Sequence, residues 1–232
     1  MNIANKPWLL QRMSSQQGSF IITTKSKDGE YCTFDILATG TVSVDYTRDG
    51  ESYHEEYERT PESPALTIAI EIMGEAFDIK LSGAITTITA TDYCGVLAVD
   101  GAKSLSSLDS TSAVDQVTLR KCNKLLSLNF KADINEVNIT DCKNLEAISI
   151  WGPESPSPII SISGKTNIDR IAYGGNSDAQ EDAIKNGITV LIESSTAETG
   201  AVDCTYLSPT ATEEFKAALQ ALVEGYGWTI TF

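Results

Sequence analysis

The chemistry open to this chain is limited first by its supply of reactive side chains. It holds a single histidine, His54, set among Glu51, Glu55 and Glu56. One imidazole cannot build a multi-histidine metal site. Beside an Asp49-Gly50 turn signal, His54 reads as a solvated hairpin residue rather than a general base. The five cysteines, Cys32, Cys94, Cys122, Cys142 and Cys204, are odd in number and form no CxxC pair. Zinc sites and disulfide frameworks need closer or paired spacing, so these residues are expected to be reduced, buried small hydrophobes. The sequence has neither a GxxxxGK[ST] phosphate loop nor a GxSxG nucleophile turn. The expectation is a protein with no metal and no cofactor, and not an enzyme.

Charge sets a second limit. With 17 basic against 32 acidic residues the net charge is −15, which opposes binding to nucleic acid or to anionic membranes. Apolar runs such as Val190-Leu191-Ile192 are too short to span a bilayer, so no membrane insertion is expected. The opening residues, Met1 to Arg12, lack the apolar h-region and cleavage site of an export leader, so folding in the cytoplasm is the expectation if no leader precedes them. Within that polar arm, residues 1–18, Pro7, Trp8, Leu9 and Leu10 form an apolar cluster. Such a cluster is a candidate anchor to another subunit. Packing on the protein's own β-structure is the competing reading.

The elements that would carry any site emerge when the middle of the chain is written in rows of twenty. Phe77, Leu97, Val117 and Val137 share a column, as do Ile79, Val99, Leu119 and Ile139. Ile85, Leu105, Leu125 and Leu145 form a third, and Ile88, Leu108, Leu128 and Ile148 a fourth. A fifth row, Ile160, Ile162, Ile168 and Ile171, follows after a shift of 23, and the extra residues lie in 152–158. Each row contains two short alternating segments, which predicts two strands per coil with one apolar face inward. One row cannot bury its own stripe, whereas stacked rows share a continuous core. Five such coils would span roughly 20–25 Å.

The rows Val117-x-Leu119-x-x-Cys122-x-x-Leu125-x-x-Leu128 and Val137-x-Ile139-x-x-Cys142-x-x-Leu145-x-x-Ile148 resemble the short leucine-rich repeats of bacterial surface proteins and phage virion proteins. That family often places Cys where coils stack closely, and here the column reads Ala102, Cys122, Cys142. The segment from Gly40 to Gly50 is similar to an N-terminal β-module of the same family. The family's Trp-Gly-Asp-Gly turn is replaced by Tyr46-Thr47-Arg48-Asp49-Gly50. The resemblance spans residues 20–232 and is strongest over 77–173. It implies a structural or interaction protein of a virion, capsid-decorating, head-fibre or tail-associated, with other virion or surface-assembly proteins as partners and a host glycan or receptor as a further class. A cell-surface adhesin is the alternative.

At the ends, residues 19–60 alternate as β-structure, and Leu66, Ile68, Ile70 and Ile72 form a strand leading into the first coil. Residues 60–65 mark the expected boundary. Beyond the fifth row the period is lost. A short helix from Ser177, its N-cap, to Lys185 is expected to stop before Gly187, followed by a strand at 188–192. A second helix near Glu213 to Glu224, with Phe215, Leu219, Leu222 and Val223 on its apolar face, precedes a last strand from Trp228 to Phe232. The fold class is therefore mainly β: a leucine-rich-repeat β-solenoid (66–173) with a β-rich N-terminal domain (19–60) and an α/β capping region (174–232).

Some parallel β-solenoids cleave polysaccharides, which requires two positioned carboxylates. The outward positions are Asp78, Ala98, Thr118, Asn138 and Ser161 in the first strand row, and Thr89, Asp109, Asn129, Ser149 and Ala172 in the second. Neither row sets two acids on adjacent rungs, and Asp109 reads as a solvated charge. What remains is a flat polar face able to dock a protein or glycan. Trp151, where the coil is interrupted by the 152–158 insert, is the candidate contact residue, since aromatics dominate binding hot spots. Covering the edge of the next coil is its competing role.

Overall fold

The computed structural model describes residues 18–152, 158–175, 181–205, 207 and 211–232. The apolar arm candidates Pro7, Trp8, Leu9 and Leu10 lie outside the described residues. The fold is mainly β, with a solenoid of about four turns and helices on its C-terminal side.

The N-terminal strands are β1 (Ser19–Thr24), β2 (Glu30–Arg48), β3 (Glu51–Arg59), β4 (Ala65–Ile72) and β5 (Asp78–Asp92). β2 and β3 form a hairpin through Asp49 and Gly50, whose φ angles of 52° and 79° are both positive. That double left-handed turn matches the twist of paired strands, which is why Asp-Gly signals a hairpin. β4 lies antiparallel along the first half of β2, and β2 also pairs with β5 along most of their length. Cys32, Phe34 and Ile36 of β2 are buried, as are Ile68, Ile70 and Ile72 of β4.

The twenty-residue period becomes two parallel ladders. β6 (Cys94–Asp100), β8 (Val114–Arg120), β10 (Ile134–Thr140) and β12 (Ile159–Ser163) stack as the first, with Leu97, Val117, Val137 and Ile160 in register. The second half of β5 begins the other ladder, followed by β7 (Ser107–Ser110), β9 (Ser127–Phe130), β11 (Ala147–Gly152) and β13 (Arg170–Gly175). It aligns Ile88, Leu108, Leu128, Ile148 and Ile171.

The first row departs from expectation. Phe77 and Ile79 do not stack on Leu97 and Val99, because β1 is inserted antiparallel between β5 and β6. Ile22 faces both Ile79 and Leu97, and Phe20 faces both Leu81 and Val99. The row is thus shifted by two residues and displaced by one strand. Phe77 precedes β5 and stacks on Tyr46 instead, with ring centroids 5.9 Å apart.

Each turn from the first ladder to the second passes through one left-handed residue. Gly101 (φ 66°), Lys121 (53°), Asp141 (54°) and Gly164 (91°) recur at the end of successive rungs. The backbone stays bonded across coils there, with Lys121 N–H donating to Thr140 O at 2.9 Å and Asp141 N–H to Ser163 O at 2.9 Å. Just inside the turn, Ala102, Cys122 and Cys142 fill one buried column, and Leu105, Leu125, Leu145 and Ile168 the next. Small side chains suit the tight corner and leucines the wider centre.

The C-terminal region corrects the expected strand at 188–192. That stretch belongs to α1 (Glu181–Ser194), so Gly187 sits inside the helix rather than beyond it; the expected N-cap Ser177 lies outside the described residues. Buried Ile184, Ile188, Leu191 and Ile192 recur at helical spacing, and this stripe overrides the β-branched composition. Gly187 is tolerated because the helix comes close to the sheet: a Cβ there would lie 3.1 Å from Tyr173 Oη and 3.3 Å from Ile160 Cδ1. After α1 come β14 (Ala201–Asp203), α2 (Glu213–Gly225) and β15 (Thr229–Thr231). Both short strands add parallel rungs to the second ladder, setting Val202 and Ile230 in line with Ile171. The two helices are the crossovers that parallel neighbours need. α1 packs against β12, the end of the first ladder, where an uncovered edge would invite another chain. Thr212 caps α2, its hydroxyl accepting from Phe215 N–H at 3.1 Å.

Candidate functional site

The outward face of the second ladder carries three columns set by strand alternation. Ser107, Ser127 and Ala147 share one rung position, and Asp109, Asn129 and Ser149 the next. Trp151 follows two residues beyond Ser149 and Lys131 two beyond Asn129, so both fall in a third column on the same face. Asp109, Ser127, Asn129, Lys131, Ala147, Ser149 and Trp151 line an open groove of about 650 Å³, floored at Leu128. The outward row expected from sequence is therefore present in register, and the structure brings Trp151 into one concave feature with it.

Asp109 is not a solvated surface charge. It is half-buried, and burial raises its carboxyl above the ordinary carboxylate range against the opposing pull of Ser107 and Lys131. Ser107 Oγ donates to the carboxylate, lying 3.1 Å from both oxygens. Ser127 Oγ in turn donates to Ser107 Oγ at 3.1 Å, joining adjacent rungs. The hydroxyl chain holds Asp109 facing the groove. Lys131 was missed by sequence reasoning. The twenty-residue period contained the signal, since counting back from Trp151 lands on Lys131 and then on Thr111.

The other chemistry-bearing residues are dispersed. His54 lies on the β2–β3 hairpin, its Nδ1 2.6 Å from Asp45 Oδ1 and its Nε2 3.5 Å from Glu56 Oε1. The five cysteines are buried and free. On the first ladder, Gln116 and Asn138 both donate to Glu136, at 2.7 and 2.8 Å, giving a flat, internally bonded face. Among the described residues no group of three or more His, Cys, Asp or Glu side chains is placed to hold a metal ion. No helix among them is long and apolar enough to cross a membrane.

Fold and site together define a parallel β-solenoid, covered at its C-terminal side by helices, with a side-chain-lined groove on one strand face. Compared with protein-family models, curated proteins and solved structures, the chain matches none.

Proposed function

We propose that this chain is a non-enzymatic structural and interaction protein of the leucine-rich-repeat type, serving as a virion component that decorates a capsid or belongs to a head fibre or tail. The observation that carries the reading is the groove beside Trp151: an open strand face of mixed polar and apolar lining on a rigid stack of coils, where Asp109 is the only carboxylate among the described lining residues. Such a face binds by complementarity, whereas glycosidic cleavage would need a second acid across the groove. The acidic surface, at net charge −15, suits contact with protein or glycan rather than nucleic acid.

The test is fractionation of the source culture, with an antibody raised against the purified chain. The expected result is a band that cosediments with particles at a fixed ratio to the major capsid protein. Labelling of intact cells without any particle-bound signal would replace the virion reading with that of a surface adhesin. Pro7, Trp8, Leu9 and Leu10 are the proposed particle anchor. A chain lacking residues 1–18 should keep its melting temperature and lose incorporation into particles, and normal incorporation would remove the anchor.

A further inference from the structure

We propose that the groove over β7, β9 and β11 is a glycan-binding site that takes neutral hexose units of an oligosaccharide, with Trp151 as the stacking surface and Asp109 and Asn129 as hydrogen-bonding partners. This deepens the reading above and rests on the chain being a binder rather than an enzyme.

The first argument is what the groove has available for recognition. β7, β9 and β11 are each paired on both edges, so their backbone groups are consumed by the ladder. An extended peptide added at a sheet edge is excluded as an occupant of this face, because that mode needs free backbone N–H and C=O groups. Among the described lining residues the strands leave recognition to side chains, and these form a mixed set: one large aromatic, one carboxylate, one amide, one ammonium and two hydroxyls.

That set matches the amphipathic surface of a pyranose. The sugar has an apolar C–H face, which suits the electron-rich face of an indole, and a rim of hydroxyls that both donate and accept. Asp109 offers acceptor capacity beyond Ser107, since a carboxylate has about four lone-pair sites and Ser107 supplies a single hydroxyl hydrogen. The hydrogen bonds from Ser107 fix its orientation before a ligand arrives, which lowers the ordering cost of binding. Asn129, on the adjacent rung, can donate and accept at once. Lys131 adds a donor at the Trp151 end.

Shape and charge narrow the ligand further. A volume of about 650 Å³ falls in the range of small-molecule sites. The groove is open rather than enclosed, and its columns repeat every ~4.8 Å along the stack. A linear oligosaccharide could therefore run across successive rungs. The half-buried carboxylate of Asp109, on a chain of net charge −15, disfavours sulfated, sialylated or phosphorylated chains.

The full-length chain, labelled with a fluorophore, is applied to an array of neutral, amino and acidic glycans beside its Trp151→Ala and Asp109→Asn variants. The expected result is capture by neutral hexose glycans, at least about tenfold weaker for Trp151→Ala and clearly reduced for Asp109→Asn. Both variants should melt at the parent temperature. If Trp151→Ala unfolds, Asp109→Asn decides alone. Absence of capture by the parent, undiminished capture by folded Asp109→Asn, or selective capture of acidic glycans overturns the site. New reducing ends released from captured glycan would overturn the non-enzymatic reading while leaving the site in place, so the two failures are told apart.

Discussion

Cys32 of β2 and Cys94 of β6, 62 positions apart, bring their sulfurs to 3.4 Å in the core. The contact joins the N-terminal sheet to the first rung of the solenoid. Its reactivity follows from its surroundings. The hydrogen bond shared with Cys94 and burial together push the Cys32 thiol far above its ordinary range. Burial, with Asp203 nearby, pushes Cys204 up to about 12. The thiolate is the reactive species, so iodoacetamide should modify these two cysteines very slowly in the native protein at neutral pH. Under denaturing, non-reducing conditions all five cysteines should titrate as thiols. A Cys32–Cys94 or Cys122–Cys142 disulfide in the mass spectrum of freshly purified protein would contradict this.

Leu125 and Leu145 are fully buried and occupy the same column of consecutive coils. Either one truncated to alanine leaves a cavity lined by neighbouring rungs, which hydrogen-bonded coils cannot easily close. Each substitution should lower unfolding free energy by roughly 2–5 kcal/mol. Denaturant titration checks this, and a midpoint equal to that of the parent would contradict the stacking.

The columns containing these leucines were legible because two regularities coincide: alternation along each strand and a constant interval between rungs. The face Asp109, Asn129, Ser149 followed from the same regularities. What hid β1 is that Phe20 and Ile22 alternate like any strand, and nothing local says that they will pair with β5 and β6 rather than begin a separate sheet. That insertion also moved Phe77 and Ile79 out of their expected column. α1 was misread through residue type, since Ile188, Thr189 and Val190 are β-branched. The helical interval linking Ile184, Ile188 and Leu191 was the better guide. β14 and β15 were harder to place on the solenoid, because helical crossovers replace the constant interval that reveals the other rungs.

His54 should titrate above its ordinary value of 6.5, chiefly because its Nδ1 is hydrogen-bonded to Asp45, with Glu56 adding to the effect. A pKa raised on folding means that the folded state holds the proton more tightly. The resulting contribution to stability is fully present below pH ~6.5 and fades as pH rises through the folded value. Both partners are exposed, so salt should weaken the effect. An NMR titration of the imidazole resonances should give a midpoint above 6.5 that falls in Asp45→Asn. A midpoint unchanged by that substitution would show that Asp45 is not the cause.

Gly200 and Trp228 fix the last rung of the second ladder. Trp228 precedes β15 and is almost wholly buried. Its indole covers Gly200, where an added Cβ would lie 2.6 Å from Cε3 and Cζ3 of the ring. The backbone bonds at the same point, with Thr229 N–H donating to Gly200 O at 2.9 Å. Gly200→Ala therefore cannot be absorbed by a flexible side-chain end. Either the ring moves and uncovers the core, or β14 separates from β15. Overpacking of this kind typically costs about 1–3 kcal/mol, and the damage should stay local because Trp228 lies at one end of the stack. Hydrogen exchange is the direct check: amides of β14, α2 and β15 should lose protection in Gly200→Ala while those of β8, β9 and β10 keep theirs. Uniform loss along all the coils would mean that the C-terminal rungs unfold together with the solenoid, and unchanged protection everywhere would mean that the indole does not rest on Gly200.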